Sequence, residues 1–312
     1  MFGELAALGA SLCWALSAAL FGRAGDDIDA VSLATLQALT VAIALSGLLA
    51  VTGRPTYWRV FPPSDLGYLA ASGIAGLVLS EIVYFRTLNR LGPRLSLLIW
   101  SFSPAATLLV ALVWLGKHPS AEALVGLVLT VAGLCVALVG RRRPPETRFR
   151  ADLEHDPAAP EPEAHDGDVD WTAAAVALLG PLLMGVSFTA LGGVRSTDSP
   201  LAAHAIRFAA AAPPLVLVVA VAGHHRDLLA ALEGPRRLAM LMAAIALGTL
   251  VGSGLATYSV LATDPATAIT LASLGPICIL PITQWTESEP LRPEAVAGAV
   301  VAVVGASVVA LG

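Results

Sequence analysis

Residues 96–140 read SLLIWSFSPAATLLVALVWLGKHPSAEALVGLVLTVAGLCVALVG, two apolar runs parted by the polar break Lys117-His118-Pro119-Ser120. Pro104 interrupts the first run, and Gly126, Gly133 and Gly140 space the second. The same design returns 172 residues later, in 269–312. Under that shift Pro93 falls on Pro265, Ser101 on Ser273, Pro104 on Pro276 and Glu122-Ala123 on Glu294-Ala295. Gly126, Gly133 and Gly140 fall on Gly298, Gly305 and Gly312, and no gap is needed. A repeat of this kind sets the architecture before any other feature is read. The chain is a duplicated unit.

The unit belongs in a membrane. Of the 312 residues 56% are hydrophobic and only 13% charged, with a mean hydropathy of +0.77, where a soluble domain carries about 25% charged residues. The charges cluster between long apolar runs, as expected when each run must cross roughly 30 Å of hydrocarbon with about 20 residues. Cys13, Cys135 and Cys278 lie far apart inside such runs, and form neither a disulfide framework nor a zinc spacing. The start Met1-Phe2-Gly3-Glu4 lacks the basic residues of a signal peptide, so the first run is expected to be retained as a helix.

Ten apolar segments can be counted: 5–22, 31–52, 66–88, 95–116, 122–140, 172–194, 201–223, 238–261, 266–285 and 295–311. Each is long enough to span. Spanning segments are helices or closed barrels, because lipid offers the backbone no hydrogen bonds, and barrel strands would alternate over about ten residues. The expected fold is an all-α integral membrane protein with ten transmembrane helices.

Residues 141–170, RRRPPETRFRADLEHDPAAPEPEAHDGDVD, are rich in proline, acid and arginine, a disordered-linker composition. They divide the chain into 1–140 and 171–312, five segments each. Five is odd, so the second half enters the membrane in the opposite sense and the duplication is an inverted repeat. Secondary transporters are often built this way, with the substrate site near the midplane. Loop arginines and lysines number thirteen on the linker side against four on the side of the termini, which by the charge rule puts the linker in the cytoplasm and the termini outside.

A few residues stand out chemically. Glu81 lies well inside the third segment, where a charge costs on the order of 2.5–3.5 kcal/mol and must face protein, water or a partner. Leu77, Glu81, Tyr84 and Leu88 share a helix face. The carboxyl can couple transport to protons, bind a substrate amine, or simply pair with Arg86 or Arg207. Arg207, with His204 one turn earlier on its face, can bind a carboxylate bidentately or snorkel to headgroups. Trp14, Trp100, Tyr84 and Tyr258 can line a cavity or pack between helices, whereas Trp58 and Trp171 border segments as interfacial anchors. Ser187, Asn89, Ser253 and Thr257 are smaller polar candidates. Pro104 and Pro276 each remove a backbone donor inside an apolar run, and breaks at matching positions of two repeats point to a transporter site. The spacings Gly126–Gly133, Gly248-x-x-x-Gly252 and Gly298 with Ala302 and Ala306 permit close helix approach, within the bundle or at a dimer face.

The repeated block resembles the EamA domain of the drug/metabolite transporter superfamily. The resemblance rests on a helix with an internal proline (Pro104, Pro276), a polar break and a glycine-spaced helix. Trp14 followed by Arg23 matches the first helix of such domains. Arg207 matches the arginine of the second helix, where the first half has Gln37. Glu289 matches the glutamate after the fourth, where the first half has Lys117. The resemblance implies a secondary transporter, commonly an exporter of amino acids or related metabolites, working in the cell membrane. It also implies termini in the cytoplasm, opposite to the charge count, and orientation stays open. No H-E-x-x-H, Gly-x-Ser-x-Gly or G-x-x-x-x-G-K-[ST] occurs, which argues against an intramembrane hydrolase or an ATP-driven pump. The non-transport alternatives are a membrane scaffold or receptor and an intramembrane enzyme of another kind. Expected partners are a small-molecule substrate, the bilayer and protons, with no nucleic acid, no cofactor and no metal; monomer and homodimer are both open.

Overall fold

The computed structural model describes residues 2–24, 28–87, 99–100, 102–116, 120–139, 176–196, 198–224, 228–229, 232–275, 277–278 and 293–311. The linker, Lys117, Trp171, Asn89, Leu88, Pro276 and Glu289 lie outside the described residues. Every described element is a helix. In the first repeat the main ones are α1 (Phe2–Ala24), α2 (Ala30–Val51), α3 (Pro63–Thr87), α4 (Ser103–Leu115) and α5 (Ala121–Val139), with one 3-10 turn at Tyr57–Val60 between α2 and α3. In the second they are α6 (Leu179–Gly192), α7 (Pro200–Ala222), α8 (Pro235–Ala262), α9 (Pro265–Ala272) and α10 (Pro293–Leu311).

Four of these, α2, α3, α7 and α8, are long and apolar enough to cross a bilayer, and α1, α4, α5, α6 and α10 contain shorter apolar helices. The 22 residues of α2 reach about 33 Å at ~1.5 Å each, the thickness of a hydrocarbon core. Local sequence sets where helices begin. Pro63, Pro104, Pro200 and Pro235 sit in first turns, where a missing N–H goes unmissed and the fixed φ suits the helix. Asp29 caps α2 by accepting from Val31 N and Ser32 N at 2.9 and 3.2 Å.

The repeat read from sequence is a repeat of structure. Helix α5 and helix α10 have 19 residues each and bounds 172 apart. A π-helical stretch interrupts α3 at Gly73–Ser80 and α8 at Ile245–Gly252, again 172 apart. The two halves interlock: α1 packs against α8 and α9, and α6 correspondingly against α3 and α4. Between these, α2 meets α7, α4 meets α9, and α5 runs along α10. Each of the last three contacts joins a helix to its own counterpart, as at an isologous two-fold interface.

Glycine makes the α5–α10 crossing possible. A Cβ on Gly133 would stand 2.3 Å from Ala302 N and 2.6 Å from Gly298 O, and one on Gly305 would stand 2.4 Å from Thr130 N and 2.6 Å from Gly126 O. Those partners are themselves equivalent under the 172-residue shift. The small-residue spacing therefore serves a contact within the chain, where backbones approach to the limit that lipid-embedded helices favour.

Replacing Gly133 or Gly305 by valine should lower the thermal midpoint in detergent, by about 1–3 kcal/mol of stability for an overpacked contact. Gly47→Ala on α2, where a Cβ meets nothing within 4 Å, should leave it unchanged or raise it. Equal midpoints for all three variants would contradict the crossing.

Candidate functional site

Between the repeats lies a cavity of about 210 Å³ lined by α1, α2, α3, α6, α7, α8 and the helix-break regions around α4 and α9. Among the described residues, helices α5 and α10 contribute none to the lining. Most of the wall is apolar, with a few polar side chains converging, the usual form of a small-molecule site. At this volume, below the ~300–1,000 Å³ of drug-sized pockets, it suits a small solute.

The cavity walls descend from the duplication. In α1 and α2 the counterpart lies 170 residues on: Trp14 and Met184, Ala18 and Phe188, Gln37 and Arg207, Ala38 and Phe208 all line the cavity. In α3 and α4 it lies 172 residues on: Glu81 and Ser253, Tyr84 and Ala256, Trp100 and Ala272, Ser103 and Gly275 line it as well. The backbone is two-fold, the chemistry is not. The first repeat supplies a carboxylate with a cluster of aromatic rings; the second supplies a guanidinium with small and hydroxyl side chains.

Two hydroxyls hold the scaffold. Ser17 donates to Ala244 O at 2.8 Å, and Ser187 donates to Ser72 O at 2.8 Å; Ala244 and Ser72 each precede the π-helical stretch of the opposite repeat. The facing residues are glycines, since a Cβ on Gly248 would stand 2.2 Å from Ser17 Oγ and one on Gly76 2.3 Å from Ser187 Oγ. A second tie has equivalent places and different chemistry. Buried Asp65, at the start of α3, accepts from Arg195 N and Ser196 N after α6 at 3.2 and 2.9 Å. Its counterpart Arg237, at the start of α8, donates to Ala24 O at the end of α1 at 3.0 Å.

At the acidic side, Glu81 directly follows the π-helical stretch of α3. Leu77, Tyr84 and Phe85 of the same helix also line the cavity. The Tyr84 ring meets Trp100 edge-on with centroids 4.8 Å apart, and Trp14 is fixed by donating Nε1–H to Gly248 O at 3.0 Å. Among the described residues the Glu81 carboxylate has no hydrogen-bond or ion-pair partner, so the pairing with Arg86 or Arg207 that sequence allowed does not form.

Arg207 is 3% exposed and stands in the seventh-helix wall of the cavity, which replaces the snorkelling geometry with burial. Its Nη1 donates to Thr257 Oγ1 and its Nη2 to Ser187 Oγ at 3.4 Å. Thr257 gives its own hydroxyl proton to Ser253 O at 2.8 Å. His204 Nδ1 lies 3.1 Å from the same Thr257 Oγ1. His204 itself is 1% exposed and stands behind Arg207, outside the cavity lining. Across the site Thr249 donates to Gln37 Oε1 at 2.9 Å.

The remaining sequence candidates fall elsewhere. Tyr258 is 38% exposed and lies outside the lining, on the outer face of α8. Pro104 sits in the first turn of α4, after a turn at Phe102, so the break precedes the proline and no mid-helix donor is lost there. The break is closed by Ser103 Oγ–H donating to Trp100 O at 2.7 Å. Prolines inside a continuous helix occur instead at Pro213 and Pro214 of α7. Trp58 is 45% exposed, as an interfacial anchor requires. Gln37 was noted in the sequence only as the first-half counterpart of Arg207, and Ser17 and Asp65 were not singled out, because a serine and a loop-border aspartate carry no signal until their partners are seen. No cluster of three metal-ligating side chains occurs among the described residues.

The model of one family, the EamA-like transporters, matches residues 1–139 and again 171–311. The chain belongs to the EamA-like transporter family. It is accordingly a multi-pass membrane transporter of the drug/metabolite type, built as two EamA repeats with its apolar helices in the bilayer. Twenty-six solved chains are similar in structure. One crystal structure superposes with a TM-score of 0.67 at 16% identity over 99% of this chain and 96% of its own, a likeness of fold. No curated protein matches the sequence.

Thr257→Val should destabilise this EamA-like transporter by about 1.5–3 kcal/mol, because it strips a buried guanidinium of its acceptor. Tyr258→Phe, one residue on, should be silent. Thermal midpoints of the two variants check the contrast, and equal midpoints would contradict the network.

Proposed function

We propose that the protein is a secondary transporter that exports small metabolites such as amino acids across the plasma membrane by alternating access. In this reading ten spans form two inverted five-helix repeats, 1–140 and 171–312, and residues 141–170 are a disordered tether between them. The solute binds in the cavity that both repeats line, and rocking one repeat against the other exposes it to each side in turn. Equivalent helix contacts on the two sides of the site support this, because interchangeable interfaces allow two related arrangements to be close in energy.

The observation that carries the reading is Glu81. A carboxylate without a partner among the described residues, facing a cavity within the membrane, has the placement of a proton carrier. Protonated, it removes the cost of a buried charge; deprotonated, it requires water or a cation in the cavity. Proton uptake on one side and release on the other, down the proton gradient, would then drive the solute uphill. A scaffold or receptor has no use for such a group in a cavity between moving repeats.

Flux in proteoliposomes with an imposed pH gradient tests this. Labelled amino acids should move saturably in response to the gradient, and Glu81→Gln, of the same size, should abolish the gradient-driven component while the protein still folds. Undiminished pH-driven transport by that variant would remove Glu81 from the coupling.

A further inference from the structure

The same cavity carries a second buried charge, with no countercharge among the described residues. Arg207 has five N–H donors in a planar fork, and two bonds to neutral hydroxyls are all it makes among the described residues. Its Nε is buried without a partner. No described carboxylate lies within ion-pair distance of it. A guanidinium 3% exposed and unpaired is a costly arrangement, unless an anion arrives from outside the chain.

The wall beside it adds a donor. Gln37, 6% exposed, lines the cavity at the position equivalent to Arg207, on α2, which packs against α7. Thr249 donates to its Oε1 at 2.9 Å, and its Nε2 has no partner among the described residues. Two cavity-lining side chains, from equivalent positions of the two repeats, thus carry buried N–H donors that no described acceptor takes.

From this we infer that Arg207 and Gln37 form a carboxylate-binding subsite that selects the solute. The inference rests on the transport reading and narrows it to solutes bearing one carboxylate group. A planar carboxylate matches the guanidinium fork, with the Gln37 amide as a further donor. Glu81 in the same small cavity disfavours dianions such as phosphate esters. The apolar wall from Trp14, Phe208 and Met184 receives the rest of the molecule. Ser187 and Thr257 are positioning residues, since they hold the guanidinium without lining the cavity.

Binding can be read by quenching of tryptophan fluorescence in the purified, detergent-solubilised protein, as Trp14 and Trp100 both line the cavity. The probes are neutral L-amino acids from alanine to phenylalanine, each with its amide and its decarboxylated amine, together with 3-phenylpropionate. The carboxylate-bearing members should quench saturably. Their amides and amines should bind at least tenfold more weakly, as loss of charge-assisted hydrogen bonds implies. Gln37→Leu, which leaves Arg207 and its hydroxyl partners in place, should weaken the acids alone, and Arg207→Gln should abolish the preference. Because Arg207→Gln disturbs a buried network, the acid-against-amide comparison on the unaltered protein stands as the decisive measurement. Amides or amines that bind as tightly as the acids, or an absence of binding by any acid, would overturn the subsite. Gradient-driven flux of a solute without a carboxylate would overturn it too while leaving the transport reading in place, whereas absence of flux for any solute would remove that reading.

Discussion

Ser17 on α1 and Ser187 on α6 each reach across the molecule to a backbone carbonyl of the other repeat, and the cavity depends on both. The two hydroxyls come this close to the opposing helices because the residues facing them, Gly248 and Gly76, have no side chain. The carbonyls they take belong to Ala244 and Ser72, where α8 and α3 pass into π-helical geometry. Widened turns of this kind change which residues face inward, and they recur at functional sites. In α3 the stretch ends just before Glu81 and in α8 just before Ser253, both of them cavity residues.

The duplication explains the backbone, and divergence explains the site. Helix crossings, breaks and glycine contacts have been kept in both repeats because each is half of a reciprocal contact, and changing one half leaves a clash or a gap in the other. Side chains that face the cavity bear no such constraint. Glu81 stands against Ser253 and Arg207 against Gln37, so an acidic, aromatic side and a basic, hydroxyl-lined side meet in one small space. A two-fold scaffold whose mostly apolar cavity carries opposite charges on its two sides suits a solute that has distinguishable ends.

Much of this was legible in the sequence, for physical reasons that differ by residue. The repeat was visible because proline and glycine positions are set by backbone geometry. Glu81 and Arg207 were visible because charge in an apolar run is costly wherever it points. Tyr258 was misleading because a ring in an apolar run was weighed without its helix face: Thr249, Ser253 and Thr257, four residues apart, mark the buried face of α8, and Tyr258 lies off it. Pro104 was misleading because the uncharged run from 95 to 116 reads as one segment, whereas the chain breaks just before the proline and Ser103 closes that break locally. The ties through Ser17, Asp65 and Gln37 join residues far apart in the chain, and local pattern is silent about them.

The central claim is that one cavity between the repeats opens to both sides of the membrane. Its most direct test is thiol accessibility at Ser273, a lining residue, in a background where Cys13, Cys135 and Cys278 are replaced. Ser273→Cys in oriented vesicles should react with a membrane-impermeant thiol reagent added to either side, with the balance shifting when the pH gradient is reversed. Labelling from one side alone under every gradient would contradict alternating access.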